Sequence, residues 1–176
     1  CGAWARDPAL AVQLVMGRDS GAMRGEAPAG VPLHMTPEPF PTASWESLWM
    51  ILTLPGHIRR LRPDVIFAAG NTYAIIAVMM KLRFGRRCPP VVLKISNDLV
   101  RRDMSGLVRW GYRRWLRIQG RMIEYATGLA APMRAEIAEF MKMPDNRIHI
   151  VDDPALAVVD LAALAAIGAA RQPRIN

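Results

Sequence analysis

A chain of 176 residues with 52% hydrophobic and 22% charged side chains has the size and make-up of one globular domain with a proper core. Its longest apolar stretch, residues 74–80, is far short of the about 20 residues that cross a bilayer. No basic-then-apolar secretory pattern opens the sequence, and Cys1 and Cys88 lack metal-ligand spacing, so a disulfide framework or a zinc site is not expected and a reducing cytoplasm fits. The net charge of +8 favours an anionic partner, whether nucleic acid, an acidic membrane surface or a phosphorylated small molecule.

Short apolar runs alternate with longer helical patterns, the signature of a parallel sheet with crossover helices. Residues 10–16 read as a first strand and 31–35 as a second, followed by a proline-rich turn over 37–41. Ser44 suits the N-cap of a helix over 45–61 that Pro55-Gly56 should kink or split. The wholly apolar run 65–69 predicts a strand buried on both faces. Gly70, Asn71 and Thr72 then form a tight turn into a helix over 73–84, which Gly85 and the pair Pro89-Pro90 end. A strand over 91–95, a long helix over about 107–125, a short strand over 128–131, a helix over 133–143 and a strand over 148–151 follow. A last helix is expected over 160–170. The order is that of a Rossmann-like, doubly wound, mostly parallel α/β sheet with helices on both faces. A first strand with its glycine-rich turn is missing upstream, and the opening CGAW and closing RQPRIN read as cut ends.

In such sheets ligands bind beyond the carboxyl ends of the strands. Gly70, Asn71 and Thr72 stand there; glycine lets a ligand approach the backbone, and the helix start that follows favours an anion or sugar hydroxyls. Plain helix capping by Asn71 or Thr72 explains the same residues. Lys94 lies inside an apolar strand, which is costly unless it is paired or points into a cleft, and Asn97 and Asp98 follow it. An internal Lys94–Asp98 pair is the competing account.

Arg109, Arg113, Arg117 and Arg121 recur every four residues along the long helix, with Arg101 and Arg102 upstream. This stripe is either a solvated face or a dock for anionic lipid headgroups, with Trp110 at the interface. Nucleic acid is disfavoured, because no stacking platform or reader motif is present. Asp152 and Asp153 follow the last strand at a turn fixed by Pro154. His34, His57 and His149 are dispersed and suggest no base, and the eleven methionines read as core filler.

The segment LRPDVIFAAGNTY (residues 61–73) resembles the "RPDVVHxHG" strand of family 4 glycosyltransferases of the GT-B fold. GLAAPMRAE (128–136) resembles that family's strand leading into the helix before the interdomain linker, and RIHIVDDP (147–154) stands where the family has "RIxVIPNGVD". The resemblance spans roughly residues 10–164. It implies the acceptor-side half of a two-domain enzyme that moves a sugar from a nucleotide-sugar donor to a glycan or glycolipid, and the family resemblance implies retention of configuration. Residues 1–158 would form the domain and 159–176 a helix and the start of the linker to a missing C-terminal donor-binding domain. No cofactor or metal is expected on this half, and the piece alone should be inactive.

By the same resemblance Asn97 and Asp98 stand nearest to a family histidine and would touch the transferred sugar. Gly70, Asn71, Thr72 and Lys94 would line the acceptor cleft, and Asp152 and Asp153 the interdomain turn. Phe67 and Ala68 replace the histidine of the family's strand motif. The cytoplasmic face of a membrane is the expected location. A non-catalytic Rossmann-like ligand-binding or regulatory module is the alternative.

Overall fold

The computed structural model describes residues 4–17, 30–38, 45–97, 99–101 and 104–151. Its elements are β1 (Leu14–Met16), β2 (Leu33–Met35), α1 (Glu46–Leu61), β3 (Ile66–Ala68), α2 (Ala74–Phe84), β4 (Val91–Lys94), α3 (Gly106–Met122), β5 (Tyr125–Gly128), α4 (Ala131–Met141) and β6 (Ile148–Ile150). β1 and β2 form a parallel pair, and β3-β4-β5-β6 form a four-stranded parallel sheet in sequence order. This is the Rossmann-like α/β architecture that the alternation of apolar runs and helical patterns predicts. The expected helix over 160–170 lies outside the described residues.

The core sits where β4 and β5 meet their crossover helices. Val91, Leu93 and Ile95 alternate into it, fully buried, while Val92 and Lys94 between them are half-buried. Ile123, Ala126, Ile137, Met141 and Ile148 close around them. Two glycines allow close packing in this core. A Cβ on Gly120 would stand 2.0 Å from the Met141 carbonyl oxygen, so α3 and α4 touch backbone to backbone at that point. A Cβ on Gly128 would press on Met133, Ile150 and Ile137.

At the amino end of the sheet, Glu124 receives Lys81 Nζ at 2.5 Å and the Val91 N–H at 2.8 Å, while Lys81 also donates to the Pro89 carbonyl at 3.1 Å. Burial alone raises the Glu124 pKa. The hydrogen bonds from Lys81 and the Val91 N–H outweigh that and hold the carboxyl below its ordinary value. Arg147 then caps the end of α3 by donating to the Glu124 and Ile123 carbonyls at 2.6 and 2.7 Å.

Several elements differ from their expected form. Helix α1 runs unbroken through Pro55, and the residue before its first turn is Trp45, with no side-chain cap; Ser44 lies outside the described residues. β3 is not buried on both faces: Val65 is 53% exposed and Phe67 37%, and among the described residues β3 edges its sheet, pairing with β4. Trp4 covers part of that edge, its ring meeting Phe67 edge-on at 4.8 Å. The strand expected over 128–131 is instead Tyr125–Gly128. Tyr125 and Thr127 are good strand formers, and Pro132 at the start of α4 claims the following residues for the helix. Helix α3 accordingly ends at Met122, where Ile123 turns to extended backbone.

Candidate functional site

The carboxyl ends of β3 and β4 bring two of the expected loops together. The residues after β3 form a 3₁₀ turn, Asn71–Tyr73, that feeds directly into α2. Gly70 and Tyr73 hold the N-cap positions of the two helix starts, neither with a side-chain cap. Asn71 reaches across to the loop after β4, where its Oδ1 accepts the Ser96 N–H at 3.1 Å. Gly70 lies beneath this link, a Cβ there standing 4.0 Å from Ser96 Oγ. Gly70, Asn71, Thr72, Ser96 and Asn97 therefore form one continuous rim.

Lys94 ends β4 beside this rim, in register with Thr127 and half-buried. Asp98 lies outside the described residues, and with it the expected Lys94–Asp98 pair; the same holds for Arg102, Asp152 and Asp153. The Ile95 N–H donates to the Thr127 carbonyl at 2.8 Å, which keeps the strand's direction into the loop. On the far side of the loop the Leu99 N–H donates to Glu136 of α4 at 3.3 Å.

Two carboxylates at this edge were not legible as site residues. Glu136 sits mid-helix in a segment that reads as ordinary amphipathic surface, and its partner Leu99 is 37 positions away. Glu46 opens α1 and packs against Gly17 at the end of β1, where a Cβ would fall 3.0 Å from its Cγ. Tyr73 faces the same region: burial raises its phenol above the ordinary value, and the Glu46 charge raises it further. The only signal in the sequence was Glu46 in the first turn of a helix, which macrodipole pairing already explains. Chemically the rim offers amide and hydroxyl groups for sugar hydroxyls, one ammonium for an anion, and carboxylates nearby. Two grooves among the described residues lie elsewhere, one at Ile58, Arg59 and Phe84 and the other at Gln13 and Pro32.

The arginine series drifts around α3, as its four-residue spacing requires. Four-residue steps advance about 40° each around a helix, so Arg109 and Arg121 point in different directions. Arg109 turns back to donate to the Met104 carbonyl at 2.8 Å, and Arg113 lies over the Phe140 ring at 5.6 Å. Arg114, Arg117 and Arg121 are exposed, and beside them so are Leu107 at 80% and Trp110 at 66%. Arg101 lies near Tyr112, whose phenol is raised by burial and partly lowered again by that guanidinium. No helix among the described residues is long and apolar enough to cross a membrane. Nor do those residues contain a group of three His, Cys, Asp or Glu side chains able to hold a metal ion.

No curated protein matches the chain. The glycosyl transferase 4-like domain family matches it over residues 2–153, from before β1 to just past β6, and the chain belongs to that family.

Proposed function

We propose that this domain holds the acceptor in a GT-B glycosyltransferase that moves a hexosyl group from a nucleotide sugar to a glycan or glycolipid, with retention of configuration. The observation that carries the reading is the Asn71–Ser96 hydrogen bond, which ties the loops after β3 and β4 into one polar rim at the ligand edge of the sheet. Asn71, Thr72 and Asn97 suit hydroxyl-rich ligands because amides and hydroxyls both donate and accept. Lys94 suits a phosphate on the acceptor or the departing nucleotide, and Asp98 is kept with Asn97 as a candidate for contact with the reacting sugar. In this reading a second, donor-binding domain closes over the rim, with Asp152 and Asp153 at the turn between the two and residues 159–176 leading to it. Alone, the acceptor half is then inactive.

The exposed face of α3 supports a site of action at the cytoplasmic surface of a membrane. Trp110 and Leu107 would enter the interface, and Arg114, Arg117 and Arg121 would meet anionic headgroups. A non-catalytic ligand-binding module is the second reading, favoured by Phe67 and Ala68 standing where the family carries a histidine.

The test is sugar transfer by the full-length protein, using labelled nucleotide sugars and a lipid extract as acceptor. Replacing Asn97 and Asp98 with Ala should cut turnover about tenfold or more while the melting temperature holds, a loss on the scale of one or two polar contacts to the reacting sugar. Unchanged turnover would remove the loop from the site, and ligand binding without any transfer would favour the non-catalytic module.

A further inference from the structure

At the opposite end of the sheet, where α1 turns into β3 and α2 turns into β4, three guanidinium-bearing residues line one groove of about 450 Å³: Arg59, Arg62 and Arg87, over a floor that includes Ile58, Phe84 and Pro89. The groove opens to solvent, and all three arginines are exposed along it. Arg59 lies over the Phe84 ring, its guanidinium carbon 5.6 Å from the ring centre, which restrains a side chain that would otherwise sample many rotamers. Arg62 closes α1 by donating its N–H to the Ile58 carbonyl at 2.9 Å, with φ 46° and ψ 56°. Glycine takes that left-handed conformation without strain, whereas here the chain carries an arginine in it.

The charge balance of the groove separates two accounts of these arginines. The carboxyl ends of α1 and α2 both point here, and each carries about half a negative charge, so helix dipoles absorb roughly one of the three cations. Among the described residues no carboxylate lies within ion-pair distance of Arg59, Arg62 or Arg87; Asp64, two positions beyond Arg62, is exposed, and Glu124 is engaged by Lys81. About two positive charges thus remain beside an apolar floor. Guanidinium forks match phosphate oxygens, and an apolar floor suits the organic part of a phosphate ester.

We propose that this groove binds a phosphate-bearing ligand, at an edge of the sheet remote from the rim at residues 70–73 and 94–97. Such a site can be filled while acceptor and donor occupy the other edge, and it holds whether or not the domain transfers sugar. The phosphate can belong to a soluble ester or to a lipid headgroup.

The experiment titrates the full chain with pyrophosphate by calorimetry, and in parallel with phosphatidylcholine vesicles with and without phosphatidic acid. Replacing Arg59, Arg62 and Arg87 together with Gln should weaken pyrophosphate binding at least about tenfold. The same charge change at Arg114, Arg117 and Arg121 should alter it less than about twofold, because a contact site differs from a general field. Arg62→Gly provides a variant that relieves the backbone and keeps the fold; it should hold the melting temperature and still lose affinity. Vesicle binding that needs phosphatidic acid and falls with the groove substitutions identifies the lipid source, and pyrophosphate binding without it identifies the soluble one. Absence of pyrophosphate binding, or equal losses from the two triple substitutions, would overturn the proposal.

Discussion

His57 illustrates what a single side chain does here. It is buried on α1 and joined to β2 through a small network: Arg60 reaches the Nδ1 atoms of His57 at 3.2 Å and His34 at 3.3 Å. A guanidinium only donates, so both rings carry their proton on Nε2 and pass it to Thr36 Oγ1 at 2.9 Å and Gln13 Oε1 at 2.7 Å. Burial, then the Arg60 charge, then His34, lower the His57 pKa. A depressed imidazole is neutral in the folded chain while the unfolded chain takes up a proton below about 6.5. Its contribution is therefore complete above that pH and is lost as pH falls below it. Chemical denaturation between pH 5 and 7.5 should show stability falling on the acid side, and His57→Gln should flatten the curve. Parallel curves for the two proteins would contradict this role. None of it was legible in advance, since Gln13, His34 and His57 are scattered in sequence and only the folded chain brings them onto one guanidinium. The same holds for Asn71, which was readable as a turn residue but whose partner Ser96 is 25 positions away.

At the level of elements, hydrophobic period revealed the order of strands and helices, because buried strands and amphipathic helices leave different apolar spacings. Boundaries were less legible. The run 128–131 is as apolar as a strand, yet Pro132 and the tight packing at Gly128 turn it into a helix entry. Two glycines of α3 separate packing from propensity. Gly120→Ala forces a methyl group onto the Met141 backbone and should cost about 2–3 kcal/mol, roughly 5–10 °C in a chain of this size. Gly111→Ala meets nothing within 4 Å and should be neutral or stabilise by up to about 1 kcal/mol. Thermal melts of the two variants check both signs. The same helix carries the membrane reading. Vesicle flotation should show binding that requires anionic lipid and weakens with salt, and Trp110→Ala together with Arg114→Gln and Arg117→Gln should abolish most of it, each basic residue being worth roughly 1 kcal/mol. Binding that ignores both salt and lipid charge would count against this face.

For the whole molecule, the family and the parallel sheet fix where to look for chemistry: the carboxyl edge, where loops from neighbouring strands converge. Composition and net charge pointed to an anionic partner without choosing one, since charge has no address until the fold distributes it. Among the described residues the fold gathers part of it on an exposed face of α3 and part in the groove at Arg59, Arg62 and Arg87, on different elements from the polar rim. The most direct measurement of the central claim is a steady-state comparison of acceptor and donor KM in the full-length enzyme, wild type against Asn71→Ala. Loss of the Asn71–Ser96 link should raise the acceptor KM several-fold, about 1 kcal/mol of binding, and leave the donor KM within about twofold. A rise in the donor KM with an unchanged acceptor KM would contradict an acceptor site at this rim.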